Sequence, residues 1–317
     1  MNNSVIVIAG ATASGKSALA LQLARAMRTK GRECEILCAD SVTVYRGFDV
    51  GSAKPPAAER AEFRHHLLDV ADPREEFTAG DFVRLSIPAI AGIHVRGATA
   101  LLVGGTGFYL RALLRGMASN EEEDSESARA IKAELTARAA TEGFAALHAE
   151  VIRLDPGSAP TVHPNDHYRV IRALQAMRLY GKPWSELNKH ARSTSWRFPG
   201  TRFFALEVDR DALAAKIETR TRAMLEGGLM REVEALLASG VPAQAKPFST
   251  IGYKECMETL AGLHPASTLV ERIAQSTRKL AKSQRTWFRG EAGVEWLLPD
   301  FWENLSKIFF DASAADE

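Results

Sequence analysis

The sequence predicts an α/β protein: a parallel, doubly wound sheet flanked by helices, carrying an all-helical insertion. Three observations predict it. Short apolar, β-branched runs alternate with helical segments, each run ends in glycine or polar residues, and one Ala- and Glu-rich helical block interrupts the alternation. Val5 to Ala9 is continuously apolar, as a strand buried on both faces requires. Glycine-rich residues follow it, then a helix through Ala18–Ala24. A second strand, Cys34–Ala39, ends at Asp40-Ser41. A third, Ala98–Val103, ends in Gly104-Gly105-Thr106-Gly107 and leads into the helical Phe108–Leu114. Ligands of such sheets sit outside the carboxyl ends of the strands. Gly10–Ser17, Asp40–Ser41 and Gly104–Thr106 are therefore expected to line one cleft.

The texture changes near Ser119. The acidic run Glu121–Asp124 precedes helical stretches at Ser125–Ala140 and Glu142–Leu154, then the breaker-rich Asp155–Pro160. A further helix, capped by Asn165 or Asp166, ends near Gly181. We assign 119–199 to the helical insertion, and 1–118 with 200–317 to the α/β core. Phe203–Val208 resumes a strand, and Asp209 and Asp211 open a helix that stops at Gly227-Gly228. The last long helix spans Thr268–Arg289, before a strand at Val294–Leu298.

Composition narrows the function classes. Hydrophobic residues make up 46% of the 317 and charged residues 25%, the balance of a folded soluble protein. A net charge of +1 argues against a protein coated in positive charge, but leaves room for a local basic patch. Cys34, Cys38 and Cys256 form no disulfide or zinc framework and read as small buried hydrophobes. His65-His66 lacks partners at metal-ligand spacing and reads as packing or local hydrogen bonding. No apolar run reaches the roughly 18 residues that span a membrane, and the N-terminus has no secretory pattern. A cytoplasmic location is expected.

Gly10-Ala11-Thr12-Ala13-Ser14-Gly15-Lys16-Ser17 fits the phosphate-binding pattern G-x-x-x-x-G-K-[ST], and it lies between a buried strand and a helix. Its glycines let the backbone wrap an anion, and successive N–H groups converge at a helix N-terminus. Lys16 adds a mobile charge, and Ser17 is placed to hold Mg²⁺. The core is thus expected to be P-loop NTPase-like. Asp40 is either a turn residue or a carboxylate facing the loop, fit to bind Mg²⁺ through water or to take a proton. Gly104–Gly107 is either a tight turn or a means of bringing backbone and a hydroxyl to substrate. Lys216 and Arg220 share a helix face, either as a solvated stripe or as anion ligands. Arg278, Lys279, Lys282, Arg285 and Arg289, with Trp287 and Phe288, suit nucleic-acid phosphates as well as a plain amphipathic helix.

Taken together, these segments resemble the tRNA dimethylallyltransferase family. The resemblance is carried by Gly10–Ser17, Ala39-Asp40-Ser41, Val44-Tyr45-Arg46-Gly47, Asp49–Pro55, His66–Asp69, Val103–Gly107, His163-Pro164-Asn165-Asp166, Ile251-Gly252-Tyr253 and Thr277–Lys282, in that order. The family moves a dimethylallyl group from its diphosphate to N6 of the adenosine on the 3′ side of certain anticodons. The resemblance implies that Gly10, Ala11, Thr12, Ala13, Ser14, Gly15, Lys16 and Ser17 hold dimethylallyl diphosphate with Mg²⁺. It makes Asp40 the general base, places Thr106 at the target nucleotide, and makes Arg220, rather than Lys216, the clamp on the leaving diphosphate. Asp40, Ser41, Val42, Thr43 and Thr106 would line the RNA side. So would Asn165, Asp166, Arg169, Arg172, Ser249, Thr250, Ile251, Gly252, Tyr253, Lys254, Arg278 and Lys282. The partner is the tRNA anticodon stem-loop, gripped by the insertion, with no membrane involved and the chain acting as a monomer. Many members carry Arg-Gln where this chain has Val42-Thr43, so no side-chain contact to a base is carried over there. The tail after His264 contains no Cys or His, as in the bacterial form. A prenyltransferase for free adenine nucleotides and a P-loop small-molecule kinase are the alternatives; the insertion and the basic last helix favour tRNA.

Overall fold

A computed structural model of the chain describes residues 4–116, 125–187 and 195–310. Glu121–Asp124 and the insertion boundary expected at 119 lie outside these residues. The chain divides into two compact units: Met1–Leu113 with Phe198–Glu317, and Leu114–Arg197.

The first unit is built on a six-stranded sheet in the order β3-β2-β4-β1-β5-β6. Its strands are β1 (Val5–Gly10), β2 (Cys34–Ala39), β3 (His65–His66), β4 (Thr99–Gly104), β5 (Arg202–Leu206) and β6 (Val294–Leu297), and every pairing is parallel. All six residues of β1 are buried, which explains its uninterrupted apolar run. Register brings the strand ends level: Gly104 lies opposite both Ala9 and Ala39, and Gly10 opposite Leu206. The turns after β1, β2 and β4 therefore open on one edge of the sheet.

The helices of this unit are α1 (Lys16–Thr29), α2 (Ala57–Glu62), α3 (Ala79–Val95), α4 (Gly107–Arg115, running on past Leu113), α9 (Arg210–Glu226), α10 (Leu229–Ala238), α11 (Tyr253–Leu260), α12 (Leu269–Arg289) and α13 (Phe301–Phe310). Leu19, Leu23 and Met27 of α1 and Leu305 of α13 pack on Ile6, Ile8, Ile36, Leu101 and Phe204 of the sheet. A second cluster joins Tyr45 and Phe48, from the segment after β2, to Val233, Tyr253 and Ile273. Helix α3 escapes sequence reading because Pro88 lies inside it; its start is fixed by a reciprocal capping box between Thr78 and Asp81. Strand β3, only two residues long, gives no periodicity to read.

The second unit contains α5 (Glu126–Glu142), α6 (Phe144–Leu154), α7 (His167–Tyr180) and α8 (Trp184–Leu187). Leu135, Leu147, Val151, Val170, Leu174 and Trp184 form its core. Asp155 explains the breaker-rich stretch: its buried carboxylate accepts from Ser185 N–H at 2.7 Å, Ser185 Oγ at 2.8 Å and Ser158 Oγ at 2.5 Å.

The cysteines are free and buried, and burial pushes the Cys34 thiol up to about 11 and that of Cys38 to about 12. His65 hydrogen-bonds Phe63 C=O and His66 bonds the Glu35 carboxylate, which Arg96 also grips. Among the described residues, no helix is long and apolar enough to cross a membrane.

Candidate active site

The loop after β1 has the geometry of an anion cradle. Gly10, Ala13 and Gly15 all take positive φ, the last two at 62° and 94°. For Ala13 this is a strained conformation that the surroundings must hold in place. They do so with apolar contacts: Ala11 and Ala13 pack among Leu213 and Ile217 of α9 and Ala274 and Ala281 of α12. Gly15 caps α1 without a side-chain hydrogen bond, and the first turn of α1 contains no acidic residue. Its N–H groups and the positive end of the helix dipole are thus left to an anion. Lys16 Nζ folds back onto Ala11 C=O at 3.2 Å. Ser14 Oγ is buried and has no hydrogen-bond partner among the described residues.

Asp40 is a turn residue whose carboxylate also faces the loop cation. One carboxylate oxygen closes a turn, accepting from Val42 N–H at 2.8 Å and Thr43 N–H at 3.2 Å. The carboxylate also acts electrostatically on Lys16 and Arg220. Thr106 ties the second and third turns together: its Oγ1 accepts from Ser41 N–H and its N–H donates to Ala39 C=O, both at 3.2 Å. Glycine is obligatory at two points of this turn. A Cβ on Gly104 would collide with the Ala39 carbonyl, and one on Gly107 with the Trp287 ring.

Arg220 comes from α9, whose first turn is fixed by Asp209 accepting from Asp211 and Ala212 N–H. One turn before it, buried Ile217 holds the helix against the loop. Lys16, Arg220 and Asp40 form one charge cluster. Desolvation first, then repulsion from Arg220, brings the Lys16 ammonium down to about 8, while Asp40 opposes the fall. Desolvation also lowers Arg220, again against the pull of Asp40. Two partly desolvated cations facing one carboxylate leave an excess positive charge for an incoming anion. Lys216, one turn earlier on α9, is exposed.

Other residues singled out from sequence are more dispersed. Ser41 is exposed, Val42 half-buried, and Thr43 buried with Oγ1 unpartnered among the described residues. Ser249 and Lys254 are exposed, with Thr250 and Ile251 half-buried. Gly252 and Tyr253, expected on the RNA side, lie deeper. Both are buried, and Tyr253 Oη donates to Glu232 at 2.6 Å. Glu232 also accepts from the N–H groups of Asp49, Val50 and Gly51, so this tyrosine is scaffold. Lys54 plays a similar part, its buried ammonium donating to Tyr45 C=O, Asp49 and Asp69. On α12, Arg278 pairs with Glu271, and Arg285 and Arg289 with Glu207. Lys282 is exposed and has no ion-pair partner among the described residues. In the second unit, Asn165 is exposed, Asp166 caps α7 and pairs with Arg169, and half-buried Arg172 donates to Gln175.

Sequence reading missed Gln284. Its Oε1 accepts from Thr12 N–H at 2.8 Å and its Nε2 donates to Gly105 C=O at 3.0 Å. No local signal marks it, because its partners lie 272 and 179 positions away.

Comparison with known proteins converges on one family. The family described as IPP transferase matches residues 43–291. A protein of Trichlorobacter lovleyi named tRNA dimethylallyltransferase 1 is 44% identical, covering 94% of both chains. The tRNA dimethylallyltransferase of Methylococcus capsulatus is 42% identical over 92% of this chain and 91% of its own. Among solved structures, the tRNA isopentenylpyrophosphate transferase of Bacillus halodurans superposes with a TM-score of 0.68 at 33% identity, covering 96% of this chain and 94% of that one. A eukaryotic dimethylallyltransferase acting on tRNA superposes with a TM-score of 0.79 at 28% identity, covering 98% and 76% respectively.

Proposed function

The chain belongs to the IPP transferase family, and from that premise we propose that it moves a dimethylallyl group from dimethylallyl diphosphate to N6 of the adenosine 3′-adjacent to the anticodon. It is a tRNA prenyltransferase with a P-loop NTPase-like core. The observation that carries the site assignment is the cluster of Lys16, Arg220 and Asp40 at the phosphate loop, where a departing anion and an attacking amine need opposite charges side by side.

In this reaction the N6 lone pair attacks C1 of the dimethylallyl group. The C1–O bond breaks, and its electron pair leaves with diphosphate. Loop N–H groups, the Lys16 ammonium and the Arg220 guanidinium take up the charge that develops on that oxygen. Asp40 receives the N6 proton; one of its oxygens is committed to the turn, which orients the carboxylate and leaves the other to work as base. Thr106, held by Ser41, stands on the acceptor side. The stem-loop suits this chemistry because its bases are already partly unstacked.

Mg²⁺ is a hard cation that takes carboxylate, hydroxyl and phosphate oxygens. The donor set fits it: the hydroxyl of exposed Ser17 at the start of α1 would hold it beside the diphosphate oxygens, with Asp40 kept as the base. Bound there, Mg²⁺ would supply neutralising charge to the diphosphate. We place the enzyme in the cytoplasm as a monomer, with no membrane partner.

The test pits the two acceptor classes against each other. Purified protein, dimethylallyl diphosphate, ATP and Mg²⁺ are given an anticodon stem-loop and AMP together. Prenylation of the stem-loop is expected. Prenylation of AMP alone would move the assignment to a nucleotide prenyltransferase, and ATP turnover with neither acceptor modified would move it to a kinase.

A further inference from the structure

We infer that Gln284 is a positioning residue for prenyl transfer, its side-chain amide setting the spacing between the phosphate loop and the acceptor turn; this rests on the function proposed above. One planar group bridges the two segments, accepting from Thr12 N–H at 2.8 Å and donating to Gly105 C=O at 3.0 Å. Few side chains do both. An ionised Glu only accepts, and Lys and Arg only donate, so the basic neighbours of Gln284 on α12 cannot replace it. Gly105 makes the approach possible. A Cβ there would lie 2.5 Å from Gln284 Nε2 and 3.2 Å from Gly10 C=O, so a side chain at this position would push the amide out of its place.

The helix that carries the amide is itself held on the same face. Ala281, three residues before Gln284, packs with Ala11, Ala13 and Ile217. Trp287, three residues after it, lies under Gly107, and Phe288 is buried. Arg285 pairs with Glu207, in the segment that follows β5. Gln284 is thus a short strut on a fixed beam, touching the loop assigned to the donor and the residue beside Thr106.

The strut occupies one N–H of the loop, that of Thr12, and leaves the donor the remaining loop N–H groups with Lys16 and Arg220. Loss of the strut leaves each substrate its own ligands but relaxes the distance between them. A misplacement near 1 Å between reacting groups costs about 10²-fold in rate. Gln284→Ala and the near-isosteric Gln284→Met are therefore expected to lower kcat by about 10²-fold. Dissociation constants for dimethylallyl diphosphate and the stem-loop, each measured alone, should stay unchanged.

Gln284→Glu separates positioning from simple packing. Its protonated form keeps one acceptor and one donor, while its ionised form sets a carboxylate against the Gly105 carbonyl. That repulsion raises the carboxyl's pKa, so both hydrogen bonds return as pH falls. The ratio of variant to wild-type kcat should climb toward about pH 5, near the carboxyl range, and stay flat for Gln284→Met. Thermal melts of all three variants establish that the fold persists. Unchanged kcat in folded Gln284→Met, or a kcat loss matched by equal loss of donor affinity, would overturn the inference. So would a Gln284→Glu ratio that does not move with pH. If the wild-type chain prenylates no RNA, the parent function fails and the inference with it; wild-type transfer with an unaffected Gln284→Met fails the inference alone.

Discussion

Asp40→Asn is the sharpest perturbation of the catalytic cluster, because the substitution preserves the turn. The asparagine carbonyl can accept from Val42 and Thr43 N–H as the carboxylate does at 2.8 and 3.2 Å, so the backbone after β2 keeps its course. What disappears is the negative charge. Loss of a general base lowers the transfer step by about 10²- to 10⁴-fold, which is about 3–5 kcal/mol of barrier at 1.36 kcal/mol per tenfold. Donor binding moves the other way. Asp40 is the anion that faces Lys16 and Arg220, and its removal leaves both cations free for diphosphate. The variant should bind dimethylallyl diphosphate at least as tightly as the wild type. Its Lys16 also loses the one influence that raises its pKa, so the alkaline loss of donor binding should begin at lower pH. Single-turnover transfer to a stem-loop measures the first effect, and calorimetric titration with the donor across pH measures the second. A full rate, or weakened donor binding in a normally folded variant, would refute the assignment of Asp40 as base beside the loop cations.

Four further outcomes follow from the same geometry. In the wild type, the charged form of Lys16 is present below its lowered pKa, so donor affinity should hold at neutral pH and fall as pH rises through about 8; an affinity flat to higher pH would remove Lys16 from the diphosphate site. Gly104→Ala drives a Cβ into the Ala39 carbonyl, and by overpacking should lower stability by about 1–3 kcal/mol in a denaturant melt, with transfer impaired in the folded fraction. Glu232→Ala strands three backbone N–H groups and the Tyr253 hydroxyl, so stability should drop by about 2–3 kcal/mol or more. The residual activity of its folded fraction should be normal. Lys282→Ala should weaken stem-loop binding without changing donor KM, and reduce the slope of log affinity against log salt by about 0.7–0.9.

The α/β core was legible in the sequence because its central strands are buried on both faces. Val5–Gly10 shows this as an unbroken apolar run, Cys34–Ala39 as one interrupted only by Glu35, and the phosphate loop is contiguous in the chain. Asp40 was legible only as two alternatives; the structure shows the turn, and the same carboxylate acts on Lys16. The residues that knit the site together were not legible. Gln284 meets Thr12 across 272 positions, and Glu232 meets Val50 across 182, distances at which no local pattern operates. The ion pairs of the basic stripe on α12 were hidden for a related reason. Its spacing shows the cations but not the acid that answers Arg285 and Arg289, which is Glu207 on another segment. The bond from the Tyr253 hydroxyl to Glu232, 21 positions away, was equally hidden.

The central claim, that the phosphate loop serves a prenyl donor whose acceptor is RNA, is tested most directly by analysing the nucleosides of a reacted stem-loop. The RNA is incubated with the enzyme, dimethylallyl diphosphate, ATP and Mg²⁺, digested, and resolved by mass spectrometry. The account predicts N6-dimethylallyladenosine at the position 3′ to the anticodon in wild-type reactions, and little of it with Asp40→Asn. Unmodified RNA alongside turnover of ATP would contradict it.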